Sequence, residues 1–177
     1  MNARDAVRLI AGAIPKDAGH VWADFGAGDG IFTRALITLL GRDAHVYAVD
    51  VDAAALASID PSTQITKILA DLATPLTLPS VVDGAVIANT LHFMRDAGAV
   101  LAQLVTHVKP GGRVVIIEYD RRNATRWVPY PLPPSRLASV AESAGLSAPV
   151  IAARRPSAYQ GELYVAAADR LSTINAR

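Results

Sequence analysis

Val21-Trp-Ala-Asp-Phe-Gly-Ala-Gly-Asp-Gly30 is an apolar stretch that runs into a glycine-rich turn, and Ile31-Phe-Thr-Arg-Ala-Leu-Ile-Thr-Leu-Leu40 follows with apolar side chains at helical spacing. A buried strand, a tight turn and the start of a helix, in that order, make a nucleotide-binding context. Two carboxylates, Asp24 and Asp29, flank the glycines. A bare helix N-terminus attracts a pyrophosphate through its N–H groups, and nearby carboxylates oppose that attraction. They suit a cationic ligand instead. The dinucleotide fingerprint sets its third glycine three residues after the second, where helix and strand pack closely. Ile31 stands at that position, and the third glycine falls at Gly30.

Outward from this turn, short runs rich in β-branched residues alternate with helical patterns. The alternation predicts an α/β fold, a doubly wound and mostly parallel seven-stranded sheet with helices on both faces. A helix is expected over Ala3 to Ala13. Strands are expected over His20 to Phe25, His45 to Asp50, Gln64 to Ala70, Asp83 to Asn89, Arg113 to Tyr119, Pro149 to Arg154 and Glu162 to Ala168. Only the short loop Arg155-Pro-Ser-Ala-Tyr-Gln-Gly161 separates the last two strands. It is too short for a parallel crossover, so they should form an antiparallel hairpin.

The chain has 177 residues, which fits a single domain over residues 1–177 with a core of its own. Hydrophobic residues make up 51%, charged residues 19%, and the formal net charge is +1. Such a balance gives no general attraction to nucleic acid. Cysteine is absent, so disulfides and thiolate metal sites are excluded. No apolar run reaches the ~20 residues of a membrane span, and the N-terminus lacks a signal-peptide pattern. The expectation is a cytoplasmic protein with no metal, no membrane association and no nucleic-acid partner, acting as a monomer or a homodimer.

Asp50 closes the second strand about twenty residues after the glycine loop, where an acid can accept both hydroxyls of a ribose. The same acid serves nicotinamide enzymes, and a helix cap is its structural alternative. Asp-x-Gly-x-Gly-x-Gly over Asp24 to Gly30 resembles the first motif of the class I S-adenosylmethionine-dependent methyltransferases. Val82-Asp-Gly-Ala-Val-Ile-Ala-Asn-Thr-Leu-His-Phe93 resembles their fourth motif. Val108-Lys-Pro-Gly-Gly-Arg-Val-Val-Ile-Ile-Glu-Tyr119 resembles the helix-to-strand passage that follows it. In that passage Pro110 is expected to stop a helix and the glycines to allow the turn.

That resemblance implies strand order 3-2-1-4-5-7-6 and S-adenosylmethionine as cofactor. It implies a trough lined by Asp24, Gly26, Ala27, Gly28, Gly30, Asp50, Val51, Asp71, Leu72 and Asn89. Asp71 would meet the adenine edge between the apolar faces of Val51 and Leu72, with a helix cap as its alternative reading. Asn89 would lie beneath the methionyl part. Methyl transfer needs alignment more than acid–base chemistry. If the acceptor must lose a proton, His92 is the candidate base, against a packing role, and Tyr119 is a candidate to orient the acceptor.

The proline-rich stretch Asp120 to Pro134 is expected to form a lid, with Trp127 and Tyr130 as an apolar wall. Arg121, Arg122 and Arg126 on that stretch, joined by Arg154 and Arg155, would favour a small-molecule acceptor bearing a carboxylate or phosphate. Three other readings stay open: methylation of RNA or protein, cofactor binding without transfer, and a dehydrogenase. Asp24, Asp29 and Ile31 count against the last.

Overall fold

Strand alternation decides how the sheet is covered. The computed structural model describes residues 1–157 and 161–172. Its sheet contains β1 (Val21–Phe25), β2 (His45–Asp50), β3 (Ile65–Leu69), β4 (Val82–Ala88), β5 (Val108–Asp120), β6 (Val150–Pro156) and β7 (Glu162–Asp169). The strand order is β3-β2-β1-β4-β5-β7-β6, the order that the sequence implied. The first five strands run parallel, and β7 is antiparallel to both of its neighbours.

Successive side chains of a strand point to opposite faces. Trp22, Val86, Ala88, Val115 and Ile117 therefore face α1 (Ala3–Ile10) and α2 (Ile31–Leu40), whose Leu9, Ile10, Ala35 and Leu36 complete that side of the core. Ala23, Ala85, Ile87, Val114 and Ile116 face α4 (Ala97–Val105) and α5 (Pro134–Ser143), which contribute Leu101, Leu104, Leu137 and Ala141. Central strands covered on both sides read as unbroken apolar runs, which is why β4 and β5 were visible in the sequence. A short α3 (Ala53–Ala57), capped by Asp52, links β2 to β3.

The structure departs from expectation in three places. The first helix is α-helical only to Ile10 and tightens to a 3₁₀ turn over Ala11–Ala13, where Gly12 weakens helix propensity. β5 starts at Val108 instead of Arg113. Val82 pairs with Val108 and, after a register shift, Gly84 pairs with Arg113, so Lys109 to Gly112 form an irregularity inside the ladder. Pro110 consequently does not end α4. That helix has already closed at Thr106, whose N–H bonds the carbonyl of Gln103. The β6–β7 hairpin forms as expected. Residues 158–160 of its loop lie outside the described residues, but Ser157 N–H donates to the Gly161 carbonyl at 2.9 Å.

The carboxyl ends of β1 to β6 and the start of β7 gather at one edge of the sheet. Among the described residues no helix is long and apolar enough to cross a membrane.

Candidate functional site

The glycine turn is shaped by what surrounds it. Gly26 has φ 82°, and a Cβ there would stand 2.0 Å from Thr90 Oγ1, so no other residue fits without moving β4's exit. Gly30, at φ 77°, is the residue before α2 and backs onto Ile59. The loop is tied to β2 from three points. The N–H groups of Gly26 and Ala27 bond the Val49 carbonyl, and Gly28 N–H donates to Asp50 Oδ2 at 2.8 Å. Asp50 Oδ1 accepts from Asp52 N–H at 2.9 Å. Each oxygen of Asp50 thus keeps a lone pair for a further donor.

Among the described residues, two hollows open on this edge. The first, about 290 Å³, is lined by Gly26, Asp50, Val51, Asp71, Leu72, Asn89, Thr90, Phe93 and Met94. Asp71 closes it as an acid. Its Oδ1 accepts from Ala73 N–H at 2.8 Å, so the capping role and a place on the hollow coexist. The second hollow, about 340 Å³, is lined by residues that include Gly26, Ala27, Asp29, Phe32, Asn89, Tyr119, Arg155 and Leu163. The hollows share Gly26 and Asn89, and these two residues mark their junction. Asn89 has φ 52°, a left-handed conformation that asparagine tolerates at turns.

Two buried oxygens beside this junction lack donors: Asn89 Oδ1 and Asp24 Oδ1. Asp24 Oδ2 accepts from Thr33 Oγ1 at 2.7 Å. Burial pushes the Asp24 carboxyl up to about 7, against the hydrogen bonds from Thr33 and with added repulsion from Asp50 and Asp29. An unsatisfied buried acceptor is costly and marks a place where a donor or a cation belongs.

His92 lies in a short 3₁₀ turn, Leu91–Phe93, and is buried. Its Nδ1–H donates to Glu118 Oε2 at 2.6 Å, and its backbone N–H donates to Glu118 Oε1 at 3.1 Å. Neither residue lines either of these two hollows. The His92 ring instead touches Phe93 of the first hollow and Tyr119 of the second, with centroids 4.3 Å and 5.6 Å away. Glu118 went unremarked in the sequence, although an acid amid Val114 to Tyr119 on a buried strand is the signal that would have found it.

The segment after β5 is placed differently from expectation. Arg121, Arg122, Arg126, Trp127 and Tyr130 line neither hollow. Val128 and Leu132 are buried and pin the segment to the core, helped by Tyr130 N–H donating to the His92 carbonyl and Tyr164 Oη–H to the Leu132 carbonyl. Trp127 is left 68% exposed with Arg126 stacked over it. Asp24, Gly28 and Gly30 likewise shape the loop without lining a hollow. Thr90, Phe93 and Met94 join the first hollow unforeseen, because nothing in the sequence says how far the chain after β4 folds back.

A family profile described as a methyltransferase domain matches residues 23–114, which take in most of β1, all of β2 to β4 and the junction of the hollows. The chain belongs to the methyltransferase domain family. No curated protein matches it by sequence. Solved methyltransferase structures share its fold. A mitomycin 7-O-methyltransferase superposes with a TM-score of 0.68 at 16% identity, over 95% of this chain and 53% of that one. The human N-acetylserotonin methyltransferase, in complex with S-adenosylmethionine, gives 0.70 at 18%, over 97% and 52%. A Burkholderia thailandensis 1,6-didemethyltoxoflavin-N1-methyltransferase, with bound 1,6-didemethyltoxoflavin and S-adenosylhomocysteine, gives 0.71 at 22%, over 96% and 78%. This methyltransferase domain spans about half the length of the first two proteins.

Proposed function

We propose that this methyltransferase domain uses S-adenosylmethionine to methylate a small-molecule acceptor that carries an anionic group. The observation that carries the reading is the meeting of two hollows at Gly26 and Asn89, beside the unsatisfied oxygens of Asp24 and Asn89.

The residues present fit that cofactor. Val51, Leu72, Phe93 and Met94 give the first hollow apolar faces for a flat base, and Asp71 gives it an acceptor for an exocyclic amine. Asp50 retains lone pairs for ribose hydroxyls. The donorless oxygens of Asp24 and Asn89 suit a ligand rich in positive charge. Neighbouring folds that bind S-adenosylmethionine or S-adenosylhomocysteine support the same assignment.

When bound, S-adenosylmethionine supplies a methyl group made electrophilic by its sulfonium. The chain's own task is orientation. The tethered glycine turn fixes one side of the junction, and Asn89, with its N–H held by the Ile117 carbonyl, fixes the other. Tyr119 lines the second hollow and orients an acceptor there. His92, clamped by Glu118 and packed under Phe93 and Tyr119, positions the walls of both hollows and is not the base in contact with an acceptor.

Calorimetric titration with S-adenosylmethionine, S-adenosylhomocysteine and NAD tests the reading. The two sulfur compounds should bind and NAD should not, and Gly26→Ala should abolish binding because its Cβ collides with Thr90. Binding of NAD alone would overturn it. Release of S-adenosylhomocysteine with a small-molecule acceptor panel, and not with RNA or protein, tests the acceptor class.

A further inference from the structure

Arginines cluster along the site edge, yet the fold disposes of them unequally. Arg154 is held by Asp120 at 2.8 Å and Glu162 at 3.0 Å. Its neighbour Arg155 projects to the opposite face of β6, by the two-residue period of a strand, and lines the second hollow. Arg155 is half-buried. Among the described residues its guanidinium has no hydrogen bond and no ion pair. A guanidinium partly withdrawn from water and unpaired is a ready partner for a planar carboxylate.

We propose that Arg155 anchors the acceptor, and that the acceptor is a monoanionic acid with an apolar body. The proposal rests on the methyltransferase reading above. The apolar body follows from Phe32, Ala88 and Leu163, which share the hollow with Arg155. The single charge follows from Asp29, which lines the same hollow and repels a second negative charge. Position separates this anchor from the cofactor. Asn89 follows β4 and Arg155 lies on β6, three strand spacings away, or about 14 Å of backbone separation. An acid held at Arg155 therefore extends back over β7 and β5, past Tyr119 of the same hollow, towards the junction.

The test uses the whole chain loaded with S-adenosylhomocysteine, whose own binding is measured first. Benzoate, phenylacetate, 4-hydroxybenzoate and hexanoate are titrated, each beside its neutral amide, with phenyl phosphate as the dianion. At least one acid should bind ten-fold or more tighter than its amide, and phenyl phosphate should bind more weakly than benzoate. Arg155→Gln should remove the preference for the acid and leave amide and S-adenosylhomocysteine affinities unchanged, while Arg155→Lys keeps part of it. Acids that bind no better than amides, or a preference that survives in Arg155→Gln, would overturn the proposal with the cofactor reading intact. So would a matching loss of S-adenosylhomocysteine affinity in Arg155→Gln, which would give the arginine to the cofactor's carboxylate. Absence of S-adenosylhomocysteine binding in the unaltered chain would instead sink the methyltransferase reading, and the proposal with it.

Discussion

Asp24 and Asp83 stand on adjacent parallel strands at opposite edges of one sheet, and their surroundings are reversed. At the amino edge, Asp83 accepts from the backbone N–H groups of His20 and Val21, each at 2.9 Å, and from Lys109 Nζ at 2.6 Å. Burial would raise its carboxyl, but those donors and the lysine charge outweigh burial and hold it below the usual carboxylate value. At the carboxyl edge, Asp24 has one side-chain donor, a bare oxygen and a carboxyl pushed up to about 7 by burial. The same residue type is a completed fastener in one place and an incomplete shell in the other. In the proposed function, a cationic cofactor brings what is missing at Asp24.

Glu118 separates edge from pairing, because it lies near the carboxyl edge yet has both oxygens occupied by His92. If pairing is what matters, Glu118→Ala should be the most damaging change, since it leaves His92 buried without its partner. A loss of about 3–5 kcal/mol in urea unfolding is expected. A loss below about 1 kcal/mol would break the comparison at its firmest point.

Asp83→Ala comes next. It strips the partners from two backbone N–H groups and should cost about 2–3 kcal/mol of stability. Affinity for S-adenosylhomocysteine should stay the same. A stable variant that binds the cofactor poorly would mean that the amino edge is no mere fastener.

Asp24→Asn should invert that pattern, with unfolding stability at pH 8 retained or raised and S-adenosylmethionine affinity lowered about ten-fold, or about 1.4 kcal/mol. Equal binding by variant and parent would place the cofactor's charge elsewhere.

The smallest effect is in pH. The native chain holds a proton on Asp24 more tightly than the unfolded chain does, so this residue's contribution falls as pH rises from about 4 to about 7. Asp83, with its value lowered, contributes above the usual carboxylate range and loses that contribution as pH falls below it. The two windows do not overlap. Because a cationic ligand favours ionised Asp24, S-adenosylmethionine affinity should rise between pH 6 and pH 8, with a proton released on binding near neutrality. Calorimetry in buffers of different ionisation enthalpy measures that proton, and its persistence in Asp24→Asn would assign it to another group.

The two halves of the site were unequally legible. On the side of β1 to β4, each expected residue that lines the first hollow lies at a strand end or within a few residues beyond it, so the ends of runs such as Val46 to Val49 point to Asp50 and Val51. The sheet then sets those strand ends side by side. Beyond β5 the logic fails. Trp127 and Tyr130 looked suited to a wall, but Val128 and Leu132 are the residues of that segment buried in the core, and Trp127 stays exposed. The second hollow is closed instead by α2, β6 and β7, elements distant in sequence.

By itself the sequence determined the strand order, through its resemblance and its apolar runs, and most of the residues that line the first hollow. Both depend on local patterns: periodicity, turn chemistry and residues next to strand ends. Only the tertiary structure decided that Glu118 clamps His92, that Asp24 and Asn89 keep oxygens without donors, and that Arg155 alone among five arginines faces the second hollow without a partner among the described residues. Each of these depends on which groups from separate elements meet, and a buried charge takes its role from the donors that reach it.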